Sequence, residues 1–326
     1  MINYKKIYIS LARVWAAICV ITLHTVETYG LVSSKPYWME ANIIVGIAES
    51  AIPIFFMITG ATLIDYRERY TTNEYLKKRI LKVGIPLGIW FLIACVYGYF
   101  MKTDAMKFPY WFYFIMMGMY LCIPLFSAVQ KELREKVFLY VVLISFVLNY
   151  FIPLCADVFD LPLRAQFPFD IGTGYLIYLL LGYLMDKKEI SFRQRVIVYI
   201  CAFIGFILKV GGTYILSLRN GVLDGTFGHY TNVPCLLISI GMFLFLKEVG
   251  NRIENNRTIK IIDCLSGYTM ASYVLHQYVS CYLIRPYIND IYSLAYNLGA
   301  PILNFVLCVV ITYIIRKIPI LRKIVP

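Results

Sequence analysis

Residues 7–27 read IYISLARVWAAICVITLHTVE. The stretch is free of glycine and proline and matches the roughly 20 apolar residues that carry a helix across a bilayer core, yet it holds Arg13 and His24. Runs of the same character follow at about 41–64, 80–100, 109–129, 137–154, 171–186, 194–216, 233–250, 267–285 and 296–316. The chain therefore reads as an all-α, polytopic integral membrane protein of about ten transmembrane helices, a single membrane domain over residues 1–326. Of its 326 residues, 60% are hydrophobic and 15% charged, against roughly 25% charged in soluble domains, and the mean hydropathy is +0.70. A soluble class is excluded.

The formal net charge of +12 depends for its meaning on where the charges fall. Most of the 31 Lys and Arg lie on one set of alternate loops, among them Lys6, Lys82, Arg134, Lys188, Arg252, Arg257 and Lys317, whereas the other set holds few, such as Lys102 and Arg219. Cytoplasmic loops carry such an excess. Both termini are expected in the cytoplasm, the basic loops to meet anionic lipid headgroups or a soluble anion, and no nucleic acid to be involved. Lys5 and Lys6 precede the first run as in a signal peptide, but Arg13 and the want of a small-residue cleavage site keep it as the first span. Nine scattered cysteines show no C-x-x-C spacing, so neither a disulfide framework nor a metal centre is expected. P-loop, H-E-x-x-H and G-x-S-x-G patterns are missing, which removes support for ATPase, zincin and serine-hydrolase readings.

Ionisable residues inside spans are costly and by default mark function. Arg13 and His24, eleven residues apart, return to within about 20° of one helix face and are separated by roughly 16 Å of rise. One stripe then offers a cation toward the cytoplasm and an imidazole toward the outer half. Glu27 follows His24 by one helical turn, the spacing at which a carboxylate contacts an imidazole and makes it a general base. Arg13 snorkelling to headgroups and His24 bonding a neighbouring helix fit the same spacing. Lys77, Lys78, Arg79 and Lys82 form a basic cluster suited to phosphates, or to orientation in the membrane alone. Glu49, Tyr273 and His276 are further polar groups in or beside spans, and His229, Tyr230 and Asn232 share an outer loop.

The order of these residues resembles the membrane acyltransferase 3 family. Arg13 and His24 are similar to its R-x10-H signature, and Pro53-Ile54-Phe55-Phe56-Met57-Ile58-Thr59-Gly60 to its Phe-Phe-x-x-Ser-Gly segment. Tyr75-Leu76-Lys77-Lys78-Arg79, leading to Pro86, resembles its basic loop. Tyr178-Leu179-Leu180-Leu181-Gly182-Tyr183 and Ser272-Tyr273-Val274-Leu275-His276 resemble later segments. Thr59 stands where the family has Ser, and Lys82 where its R-x-x-R has a second Arg. The resemblance implies an O-acyltransferase of the bacterial plasma membrane that takes an acyl group, usually acetyl from acetyl-CoA, to a hydroxyl of a cell-surface glycan or its lipid-linked precursor. Taken with the spacings above, it makes His24 and Glu27 the expected catalytic pair, puts Arg13, Lys78, Arg79 and Lys82 on the acyl-CoA, and leaves Glu49, Tyr230, Asn232, Tyr273 and His276 as acceptor-side candidates. No metal is implied, and a homo-oligomer is compatible with it. The competing class is a secondary transporter of an amino acid or other small envelope precursor.

Overall fold

The computed structural model describes residues 6–32, 36–102, 108–159, 174–319, 321–323 and 325, and every regular element among them is helical. Helix α1 (Ile7–Thr25) lies at the centre and ends where Val26 leaves helical space at φ −78°, ψ 82°. The second span is divided into α2 (Trp38–Ala48) and α3 (Ala51–Leu63), with Glu49 and Ser50 at the joint. Pro53 falls in the first turn of α3, where a missing N–H costs nothing, so the break comes just before it. Glu49 therefore sits within the span, which runs from Trp38 to Glu68.

Next come α4 (Thr72–Arg79), α5 (Ile85–Met101), α6 (Trp111–Ala128), α7 (Lys131–Phe146) and α8 (Ile152–Val158). They are followed by α9 (Leu176–Lys187), α10 (Phe192–Asn220), α11 (Val233–Asn251), α12 (Asn256–Ser266), α13 (Thr269–Val279) and α14 (Leu294–Arg316). Capping boxes start α4 (Thr71 with Glu74) and α10 (Ser191 with Gln194), each satisfying two otherwise orphaned N–H groups. Helix α10 stops at Gly221, whose φ of 70° suits a residue without Cβ.

Three π-helical turns interrupt the bundle at Ile80–Gly84, Val147–Phe151 and Ser280–Ile284. Each ends two residues before a proline: Pro86, Pro153 and Pro286. A proline ring collides with the carbonyl four residues back, and widening the preceding turn relieves the collision without ending the helix. Pro124 and Pro301 lie inside α6 and α14 with no such turn, so proline alone does not dictate it.

Among the described residues, eight helices are long and apolar enough to cross a membrane. Of the ten expected runs, the two outside this set correspond to α9, whose 12 residues rise about 18 Å, short of the roughly 30 Å hydrocarbon core, and to α13, whose helix continues through its π turn to Ile284. The expected start of the α9 run, at 171, lies outside the described residues, as do Lys5, Lys35, Lys107 and Arg164.

Central α1 packs against α2, α3, α11, α12, α13 and α14. Its Ala12, Ala16 and Ala17 are buried, and small residues let helices approach closely within a membrane. Helices α3 and α9 touch backbone to backbone at Gly60 and Gly182: a Cβ on Gly60 would lie 1.8 Å from the Leu179 carbonyl oxygen. At one end of this pair Asp65 accepts from Arg134 and pairs with Lys187, both at 2.5 Å.

Lys209 of α10 is fully buried and pairs with Glu49 at 2.8 Å, with the Tyr29 hydroxyl 3.4 Å from the ammonium. Removing one partner strands the other charge, so Lys209→Met is expected to cost about 3–5 kcal/mol, whereas Lys209→Met with Glu49→Leu recovers most of the loss. Thermal unfolding of both variants in nanodiscs checks this, and equal losses would refute it.

Candidate active site

Two polar stations lie along α1, separated by its rise from Arg13 to His24. At the first, a cavity of about 240 Å³ opens among α1, α3, α6 and α13, lined by Arg13, Thr59, Met116, Tyr120 and Tyr273 with Phe55 and Phe112. Arg79 ends α4 just before the first π turn, with its guanidinium carbon 5.7 Å from the Tyr120 ring centre and 5.8 Å from that of Tyr75. Tyr75, one helical turn before Arg79, donates from its hydroxyl to the Tyr120 carbonyl at 3.1 Å. These rings bring Arg79 toward the cavity wall. Arg13 feels the charge of Arg79, and Asp263 on α12 offsets part of this repulsion. No carboxylate among the described residues comes within ion-pair distance of either guanidinium, and Arg79 Nε is buried without a hydrogen-bond partner. Two cations sharing one wall are a ready site for phosphate oxygens.

The other two expected donor contacts diverge. Lys78 sits 3.3 Å above the Tyr70 ring, and Lys82 is exposed. The π turn explains Lys82: one additional residue in the turn breaks the shared face that R-x-x-R spacing implies in a regular helix.

At the second station, His24 and His276 face each other with ring centroids 5.1 Å apart and planes tilted by 41°. His276 is 1% exposed. Its Nδ1 lies 2.5 Å from the Tyr273 carbonyl, which can only accept, so Nδ1 carries the proton and Nε2 presents a lone pair. That Nε2 has no hydrogen-bond partner among the described residues. The histidine is seated by Asn304 of α14, whose Nδ2 donates to the His276 carbonyl at 3.0 Å and whose Oδ1 receives the Cys308 thiol at 3.3 Å. Tyr273 joins the stations: it lines the cavity, its ring is 5.7 Å from that of His276, and its hydroxyl donates to the Pro109 carbonyl at 2.6 Å.

The contact expected between Glu27 and His24 does not form. Helix α1 has ended at Thr25, so helical spacing no longer applies, and Glu27 makes a bidentate pair with Arg285 at 2.9 Å on both oxygens. Glu49 is held by Lys209, Tyr230 stacks on Trp111 with centroids 5.5 Å apart, and Asn232 donates to the Thr226 carbonyl at 2.5 Å. No hydrogen bond, ion pair or ring contact joins these three to the histidines. No cluster of three His, Cys, Asp or Glu suited to a metal occurs among the described residues.

Sequence reasoning gave no role to Tyr75, quoted only within the basic segment, and passed over Tyr120 and Asn304. Tyr75 had a signal, since it lies one helical turn before Arg79, and so did Asn304, a buried amide seven residues after buried Asn297 in an apolar span. Tyr120 had none.

Helical spans enclosing a polar cavity, with cations at one level and paired imidazoles at another, define a multi-pass membrane protein equipped for group transfer. The acyltransferase 3 family profile, described as an acyltransferase domain, matches residues 6–315. The chain belongs to this family and is a membrane acyltransferase. No curated protein and no solved structure matches it.

Proposed function

We propose that the chain is an O-acyltransferase of the bacterial plasma membrane, with about ten spans and both termini cytoplasmic, that moves acetyl from cytoplasmic acetyl-CoA to a hydroxyl of a cell-surface glycan or its lipid-linked precursor. The observation that carries this reading is the pairing of His24 with His276 beyond a cavity lined by Arg13, with Arg79 against the Tyr120 ring in its wall. The two guanidiniums take the donor's phosphates, and the low-dielectric wall of Phe55, Phe112 and Met116 keeps water from the thioester. His276 Nε2, with its lone pair, accepts the acceptor's hydroxyl proton as the oxygen attacks the thioester carbonyl. His24 shares that charge across the ring contact, and the proton returns to the departing sulfur.

Purified protein in nanodiscs, given radiolabelled acetyl-CoA and extracted envelope glycans, tests the reading. Wild type is expected to release CoA and label a glycan. Arg79→Ala is expected to raise the donor KM at least about tenfold with kcat little changed, the pattern of lost ground-state binding. The reading falls if wild type neither binds acetyl-CoA nor releases CoA with any glycan pool, and more so if it carries an amino acid or sugar across the bilayer without acyl-CoA.

A further inference from the structure

Helix α6 supplies one whole wall of the cavity. Phe112, Met116 and Tyr120 recur on one face of it, and from Tyr120 to Phe112 the helix rises about 12 Å. Tyr120 stands beside the arginines. Phe112 stands at the opposite end, buried among Phe55 at 5.7 Å, Phe56 at 5.3 Å and Tyr273 at 5.4 Å between ring centres. Tyr273 is tied by its hydroxyl to Pro109, so the end wall has one anchored ring and one held by packing alone. Midway, Met116 Sδ lies 3.5 Å from Thr59 Oγ1, narrowing the cavity between α3 and α6. The volume of about 240 Å³ is below the roughly 300–1,000 Å³ of common ligand pockets.

We propose that Phe112 and the Thr59–Met116 neck set the length of acyl chain that the site accepts, restricting it to groups about as short as acetyl; this rests on the acyltransferase reading above. A donor fixed by its phosphates at the arginines delivers its thioester carbonyl toward the histidines. Further carbons on that carbonyl then have to enter the space that Phe112 and its aromatic neighbours already fill. Each unaccommodated methylene in an apolar pocket discriminates about 10- to 200-fold.

The test is competition of radiolabelled acetyl-CoA binding to the protein in nanodiscs by CoA, propionyl-CoA, butyryl-CoA and octanoyl-CoA. Wild type is expected to bind butyryl-CoA at least about tenfold more weakly than acetyl-CoA. Phe112→Leu is expected to close that gap by about tenfold. Thr59→Ser, which removes a single methyl and least disturbs folding, is expected to shift preference the same way for propionyl-CoA. The inference is overturned if both variants bind acetyl-CoA like wild type yet keep its chain-length profile, or if wild type binds octanoyl-CoA as well as acetyl-CoA. If wild type binds no acyl-CoA of any length, the donor reading itself fails and takes this inference with it.

Discussion

Alanine at His24 is expected to lower acyl transfer about 10²- to 10⁴-fold, the range that a positioned acid–base group contributes, and alanine at His276 is expected to fall within the same range. The decisive arm is the double variant, which should be no slower than the slower single one. The two rings are 5.1 Å apart, so whichever is removed, the proton-holding unit is broken, and residues that act as a unit are grossly non-additive. Single-turnover CoA release from pre-bound acetyl-CoA measures this without interference from product dissociation. Losses that multiply would mean that the histidines work in separate steps. Asn304→Leu provides a second readout. It frees the His276 carbonyl from its α14 partner without touching either ring, so it should lower the rate by less than His276→Ala.

Gly182→Ala and Gly60→Ala are each expected to abolish accumulation of a monodisperse folded protein. A Cβ at 182 would meet the Met57 carbonyl oxygen at 2.0 Å, and one at 60 would meet that of Leu179 at 1.8 Å. Both obstacles are helix backbone, which cannot swing aside as a side chain does, so α3 and α9 would have to separate and lose their dispersion contacts along the shared face. Glycine's own helical penalty works in the opposite direction by up to about 1 kcal/mol. The contrast is therefore sharp against Gly118→Ala and Gly88→Ala, where nothing lies within 4 Å of the new carbon and a small gain is expected. Size-exclusion profiles of the four variants in detergent decide it, and normal profiles for both Gly60→Ala and Gly182→Ala would contradict the packing described.

Composition and apolar run length were enough to make the fold class legible, because a bilayer imposes one length and one polarity on every span. Arg13 and His24 were legible as polar exceptions to that rule, and Arg79 as part of a basic cluster. What stayed hidden was partnership across the chain. His276 lies more than 250 residues beyond His24, and nothing in local periodicity says that their helices are neighbours. Glu49 likewise read only as a further polar group until packing paired it with Lys209, 160 residues along the chain. Glu27 shows the complementary failure: it was placed by assuming an unbroken α-helix and lies past the end of α1, while Lys82, read with Arg79 as one basic cluster, is parted from it by the π turn before Pro86.

The central position of α1 has a consequence for how the chain is made. It leaves the ribosome well before three of its neighbours, α12, α13 and α14, which begin only at Asn256, Thr269 and Leu294. Until then Arg13 lacks its enclosing walls, and a guanidinium near the hydrocarbon is costly in an isolated helix. Contacts this distant in sequence form slowly and leave earlier segments unprotected. The residues that equip the molecule for chemistry thus make α1 dependent on the insertion machinery: nascent chains arrested before residue 294 should remain crosslinkable through α1 to the insertase, and chains extended past α14 should be released.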